Sequence, residues 1–345
     1  MLGPVSRRPG ARTRVRTAGL PAPFERTPMI ALSLTPELRE MFLPSPIWDD
    51  LVKLGPIVPL EEAEVLVTGW ETPRLDAEAL ARAPRLRLVA HTGAAVGFLV
   101  SDALWDRGIR VTQTGAAMAP AVAEVALTFT LSLLHQVHRF DHALRSGTGW
   151  EKARAAARPA RELRGSVVGV VGASRTGRAY LELVRPLGAK LLLADPLVDA
   201  AQAAALGAAL VPLDELLSRS DVVALHAPAI PATRHLLGRR ELALLRDGAA
   251  LVNTARSWLV DSGALLDELR AGRIDAALDV FDEEPLPPDS PLRALPNVLL
   301  TPHQAAATVE GHERQGRSTV DEIARFLSGE PLQHEITRER LRWTA

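Results

Sequence analysis

The stretch VVGVVGASRTGRAY, Val167–Tyr180, limits what this chain can fold into more than any other. Apolar β-formers run into Gly172-Ala-Ser-Arg-Thr-Gly177, and a helical pattern follows. A buried strand that turns sharply into a helix through glycines is the phosphate-cradling loop of a parallel α/β sheet. The three-glycine pattern G-x-G-x-x-G would put glycine at position 174, where this chain has Ser174. Gly172 still serves the tight turn and Gly177 the close helix packing. Serine is small, and its hydroxyl and N–H can both donate to a phosphate at the positive end of a helix.

The sequence around the loop repeats the same alternation. Before it, MIALSLT, EVLVTGW, LRLVAHTG and IRVTQTG are short apolar runs separated by helical spacings. After it come KLLLADP, DVVALHAP, AALVNTA, IDAALDVF and VLLTPH. The runs are continuous rather than alternating, as in strands covered on both faces. The segment Pro120–Gly147 reads as one long amphipathic helix, with proline in its first turn and glycine at its end. A chain of 345 residues divides naturally into two domains. Residues 1–28, rich in Arg and Pro without apolar periodicity, read as a disordered extension or as the product of a start upstream of Met29.

Composition excludes several classes. Lys and Arg total 40 against 41 Asp and Glu, a net charge of −1, so no global field favours nucleic acid or a membrane surface. Cysteine is absent, which removes disulfides, thiolate catalysis and cysteine-ligated metals and suits a reducing cytoplasm. No apolar run is expected to reach the ~18 residues of a membrane span.

Asp195 ends KLLLAD, 18 residues after Gly177. An acid there accepts hydrogen bonds from ribose hydroxyls and repels a 2′-phosphate, and no Arg or Lys lies within Pro196–Ala201. The expected cofactor is therefore NAD. Further polar groups close later strands: Arg256 in LVNTARSWLVD, Asp279 and Glu284 in LDVFDEEPL, and His303 in LLTPHQAA. Such a set suits the oxidation of a hydroxy acid. Arginine grips a carboxylate as a fork. Histidine exchanges the hydroxyl proton, and a carboxylate orients the imidazole and stabilises its charged form.

In the order and spacing of these stretches, together with HAPAIPATRHLLGRRELALLRDGAALVNTARS, ALDVFDEEPLPPDSPLRALPNVLLTPH and DEIARFLSGEPL, the chain resembles the D-isomer-specific 2-hydroxyacid dehydrogenases from about Leu86 to Pro331. The resemblance implies an α/β fold of two doubly wound parallel-sheet domains, with a Rossmann coenzyme domain (118–308) inserted into a flavodoxin-like substrate domain (29–117 and 309–345). The hinge crossings would lie near Ala117–Ala123 and Ala307–Glu313. It implies Arg256 as substrate-carboxylate binder, Glu284 as the partner of histidine and His303 as acid/base. Coenzyme contacts would come from Gly172, Ser174, Arg175, Thr176, Gly177, Asp195, Pro228, Thr233, Thr254, Ala255 and Asp279, and the substrate loop would be Gly93-Ala94. The implied protein is a cytoplasmic homodimer that reduces a small 2-oxo acid to its D-2-hydroxy acid with NADH, without nucleic acid, membrane or metal. Alternatives are a dinucleotide-sensing, corepressor-like binding protein on the same fold, and a formate dehydrogenase.

Four departures stand out: Ser174; Ser257-Trp258 after the arginine, where glycine is usual; a substrate loop without the usual Asn-Ile-Asp tail; and Gln304-Ala305-Ala306 after the histidine, where a small, often glycine-containing run is common. Separately, His135, His138 and His142 share one face of the expected long helix, a spacing that could hold zinc. No fourth ligand accompanies them, so they are expected as ordinary polar-face or interface histidines.

Overall fold

The computed structural model describes residues 27–343. The extension expected at residues 1–28 thus lies, as far as residue 26, outside the described residues. Strands β1 (Ile30–Ser33), β2 (Val65–Thr68), β3 (Leu88–His91) and β4 (Arg110–Thr112) pair in sequence order and in parallel. All of β2 and β3 is buried, which explains their unbroken apolar reading.

A second parallel sheet follows: β5 (Val167–Val171), β6 (Lys190–Ala194), β7 (Ala208–Leu210), β8 (Val222–Leu225), β9 (Ala250–Asn253), β10 (Asp275–Leu278) and β11 (Val298–Leu300), in the order β11-β10-β9-β8-β5-β6-β7. The order reverses at β5, which lies between β6 and β8. Open α/β sheets bind ligands at such a switch point, and the glycine loop leaves β5 there. The chain then returns to the first sheet, where β12 (Glu335–Ile336) pairs antiparallel with β4. Glu335 also grips Arg110 through two bonds of 2.6 and 2.7 Å.

Two helices link the sheets. The helix Gly115–Leu134 runs from the first towards the second and packs on Arg175–Val184 and on the returning helix Val309–Leu327. Buried Ala119, Ala123 and Ala126 permit the close approach. The Tyr180 hydroxyl, fully buried, meets Thr130 Oγ1 at 2.6 Å. By length and composition alone this helix could cross a membrane; here its apolar residues pack against the sheet and its neighbouring helices.

The single helix expected over Pro120–Gly147 is corrected. It starts earlier, at Gly115, so Pro120 is interior. It stops at Leu134, and a second helix runs Val137–Arg145. Between them Gln136 takes a left-handed backbone, φ +58°. Its amide donates to Leu133 O at 2.7 Å and to buried Asp275 at 3.0 Å. A side chain that satisfies the last turn and a buried carboxylate therefore breaks the helix without glycine or proline, and the apolar spacing runs on across the break.

Candidate active site

The glycine loop shows why serine is accepted at position 174. Gly172 has φ +96°, and a Cβ there would lie 2.6 Å from Ala227 N. At Gly177 a Cβ would lie 2.1 Å from Gly172 O. Neither position admits another residue. Ser174, by contrast, has φ −61° and ψ 177°, open to any residue. Its Oγ caps the following helix by accepting from Gly177 N at 3.2 Å. The hydroxyl oxygen expected to serve a phosphate is thus first a helix cap, while its proton and the Ser174 N–H remain as donors. Arg175 opens the helix with much of its side chain exposed; desolvation by its surroundings and the nearby charge of Arg340 both push its pKa down. Two cations near one helix start favour an anion there. Thr176 lies in the same first turn.

Asp195 ends β6. Its carboxylate accepts from Ala173 N at 2.7 Å and from Leu197 N at 2.8 Å, which fixes it beside the glycine loop and leaves lone pairs on both oxygens. It opens into a largely apolar cavity of about 760 Å³, also lined by Gly172, Pro228, Ile230 and Thr233. Thr233 Oγ1 donates to Pro228 O at 2.5 Å and accepts from Ile230 N at 3.0 Å, so this hydroxyl shapes the cavity wall. Trp258 braces that wall from outside. Its Nε1 donates to Ile230 O at 3.0 Å, and the Arg234 guanidinium lies 5.1 Å from its ring centre.

At the end of β9, Asn253 brackets the next turn, a role not legible in the sequence beyond a polar residue closing an apolar run. Its Oδ1 accepts from Ala255 N at 3.0 Å and its Nδ2 donates to Arg256 O at 2.9 Å. Thr254 is buried, and its hydroxyl has no partner among the described residues. Such a group is a ready contact for a bound ligand. Arg256 donates to Ala255 O at 2.6 Å. Burial lowers its pKa, and the negative charges of Glu284 and Asp279 oppose that shift.

Asp279, 1% exposed, anchors the loop that carries His303. Its carboxylate accepts from Thr301 Oγ1 at 2.5 Å, Gln304 N at 2.8 Å and Ala305 N at 2.9 Å. His303 itself sits at φ +54°, a left-handed backbone that a non-glycine residue adopts only when its surroundings impose it. His303 Nδ1 lies 2.7 Å from Glu284 Oε2. A carboxylate only accepts, so Nδ1 carries the hydrogen, and Nε2 is left as the reactive nitrogen. Glu284 is held in turn, since its Oε1 accepts from Phe281 N at 2.9 Å.

On the first sheet, Gly93 and Ala94 follow β3. Thr114 N donates to Gly93 O at 2.8 Å. A Cβ on Gly115 would lie 3.1 Å from Ala94 Cβ and 3.5 Å from Arg175 Nη1. The substrate-loop candidates therefore border the start of the coenzyme helix. The three histidines do not share a face. His135 caps the first helix, His138 is buried with Nδ1 3.4 Å from Ser132 O, and His142 is exposed. Among the described residues, no group of three or more His, Asp or Glu could hold a metal ion.

Residues 127–305 match the family described as D-isomer specific 2-hydroxyacid dehydrogenase, NAD binding domain. The chain is 36% identical over 285 residues to a glyoxylate reductase of Aeropyrum pernix, covering 81% of this chain and 84% of that one. The chain belongs to the D-isomer-specific 2-hydroxyacid dehydrogenase family. It is an NAD-dependent oxidoreductase of that family, with a Rossmann coenzyme sheet. It is also 35% identical over 282 residues to a D-3-phosphoglycerate dehydrogenase of Mycobacterium tuberculosis; that match covers 81% of this chain but 52% of its relative, so the chain spans about half the length of such relatives. The holo form of Rhodotorula graminis D-mandelate dehydrogenase superposes with a TM-score of 0.82 at 27% identity, over 90% of this chain and 98% of that one. The Gly172 cradle, the open lone pairs of Asp195 and the partnerless Thr254 hydroxyl fit a dinucleotide.

Proposed function

We propose that this dehydrogenase reduces a 2-oxo acid to its D-2-hydroxy acid, with His303 as proton donor, Glu284 as its orienting partner and Arg256 as carboxylate binder. The 2.7 Å His303–Glu284 pair on a loop pinned by Asp279 carries the reading. Bound NADH supplies the hydride. The chain's own part is to hold the carboxylate in the Arg256 fork and to deliver a proton from His303 Nε2 to the carbonyl oxygen. Glu284 then faces the imidazole as its charge changes. Gly172, Ser174, Arg175, Thr176 and Gly177 cradle the pyrophosphate. Asp195, with Pro228 and Thr233 on the cavity wall, takes the adenosine end and favours NADH over NADPH. Thr254, Ala255 and Asp279 lie towards the reacting end, and Gly93-Ala94 face the substrate.

In this reading residues 29–117 and 309–345 form the substrate domain and 118–308 the coenzyme domain, closing on a cleft that sheds water. The protein works in the cytoplasm as a homodimer. Its lack of cysteine suits that compartment, and exposed Val137, Leu144 and Trp150 after the linking helix offer an apolar face for a second copy. Steady-state kinetics on the best 2-oxo acid test the roles. His303→Ala should lower kcat by about 10²–10⁴-fold. Arg256→Ala should act mainly on kcat/KM. Wild-type turnover in His303→Ala would remove the proton-donor role. Tight NADH binding without turnover of any 2-oxo acid would favour a dinucleotide sensor.

A further inference from the structure

The parallel strands of the first sheet all end at one edge, at Ser33, Thr68, His91 and Thr112. The closeness of Gly115 to Ala94 and Arg175, where an added Cβ would lie 3.1 Å and 3.5 Å from their side chains, places this edge near the coenzyme helix. If Arg256 holds the carboxylate and His303 the carbonyl, both on the seven-stranded side, the remaining substituent on C2 points to this edge. Its chemistry therefore chooses the substrate.

Two half-exposed aromatic side chains stand there. Trp70, 49% exposed, follows β2 and rests edge-to-face on buried Phe42, with ring centres 5.3 Å apart. Its turn is pinned by Thr72, whose Oγ1 accepts from Gly69 N at 3.1 Å and donates to Ser33 O at 2.8 Å. Phe98, 43% exposed, follows β3 and rests edge-to-face on His91 at 5.8 Å. His91 brings no charge: it is buried, its Nδ1 is 3.0 Å from Thr68 Oγ1, and burial pushes its pKa down to about 4. In the strand-end segments 34–36, 69–74, 92–100 and 113–115 the only charged residues are Glu71 and Arg74, both exposed. A Cβ at Gly97 would meet nothing within 4 Å, so the loop beside Phe98 leaves room. An edge of this kind gains by covering apolar surface and offers a phosphate little to replace its water.

We propose that the substrate is a 2-oxo acid with an uncharged, bulky apolar substituent, branched or aryl, and that Trp70 and Phe98 select it. The proposal rests on the 2-oxo acid reading above. The test compares kcat/KM with NADH for phenylglyoxylate, 4-methyl-2-oxopentanoate, glyoxylate, hydroxypyruvate and 3-phosphohydroxypyruvate. The two apolar acids should lead by about tenfold or more, the scale on which a hydrophobic pocket discriminates. Trp70→Ala should lower the ratio of phenylglyoxylate to glyoxylate by about tenfold, and Trp70→Phe should restore most of it. Phe98→Ala repeats the measurement if Trp70→Ala does not fold. A lead for glyoxylate or for the phosphorylated acid would overturn the preference alone. So would a ratio unmoved by both variants. Turnover of none of the five, with NADH still bound, would overturn the preference together with the function it rests on.

Discussion

Asp279→Asn isolates what holds His303 in place. The wild-type carboxylate accepts one hydroxyl and two backbone N–H groups, all from the loop that carries His303. An amide keeps one oxygen and turns an NH₂ towards a donor. If the oxygen keeps Thr301 and Gln304, the N–H of buried Ala305 loses its partner and faces another donor. A bond to a charged acceptor contributes about 1.5–3 kcal/mol, and a stranded buried N–H costs a similar amount. His303 at φ +54° would itself relax by about 1–3 kcal/mol once released. Counting the lost bond and the stranded N–H as one loss, these together favour the relaxed loop by roughly 2.5–6 kcal/mol, or about 70- to 25,000-fold in the population that presents Nε2. The assay is kcat for NADH oxidation by a 2-oxo acid, beside NADH affinity by fluorescence and a urea unfolding curve. kcat should fall by at least about 70-fold, well beyond any loss in NADH affinity, with the fold intact. A kcat within threefold of wild type would refute the reasoning. A loss seen only in NADH affinity would place the carboxylate on the coenzyme instead.

Other consequences follow from the same geometry. Ser174→Ala removes the cap on Gly177 N and should lower stability by about 1 kcal/mol in urea unfolding, whereas Ser174→Gly should cost only a few tenths. Asp195→Ala should shrink the preference for NADH over NADPH by about tenfold in fluorescence titrations, since a charged acceptor is lost from the cavity. Stability should fall with acid before the carboxylates titrate. Burial holds His91 to a pKa of about 4 and His226 to about 3, against an ordinary 6.5. The unfolded chain therefore binds these protons first, so stability is full above pH 6.5 and is lost as pH falls below it. By pH 5 each histidine should account for about 2 kcal/mol. Urea unfolding at pH 7.5 and 5 checks this, and His226→Leu should remove about 2 kcal/mol of the acid-induced loss.

The fold was legible where burial is complete on both sides. The expected apolar runs match β1 to β6 and β8 to β11, because a strand covered by helices is mostly apolar and its polar residues gather at its ends. β7 and β12 were missed. They are edge strands of three and two residues, and pairing with a neighbour makes them strands more than composition does. The break at Gln136 was hidden for a related reason, since its cause is Asp275, 139 positions away. In the candidate site, the residue types at strand ends were readable from their order downstream of the glycine loop, since an arginine, glutamate or histidine taken singly could as well be a cap or a surface residue. Their supports were not. Asn253 and Asp279 act through backbone N–H and C=O groups that no spacing rule displays.

Ser174 shows how a motif can lose a letter and keep its geometry. The loop places separate demands on its three positions. At 172 the backbone must turn left-handed against Ala227, and at 177 the helix must approach Gly172 O; both exclude a Cβ on distance alone. At 174 the backbone is ordinary, and the demand is that the side chain be short and leave the N–H free. Glycine meets that demand by having no side chain. Serine meets it by folding its hydroxyl back onto Gly177 N, where it also caps the helix whose positive end would face the phosphate in the proposed binding mode. A leucine or phenylalanine at 174 has no such return path and would stand where the proposed function puts the pyrophosphate. Substitutions there should therefore follow size and capping ability, with Gly, Ser and Ala retaining NADH binding and Leu abolishing it. Strong NADH binding by Ser174→Leu would mean that the coenzyme does not approach the backbone at this loop.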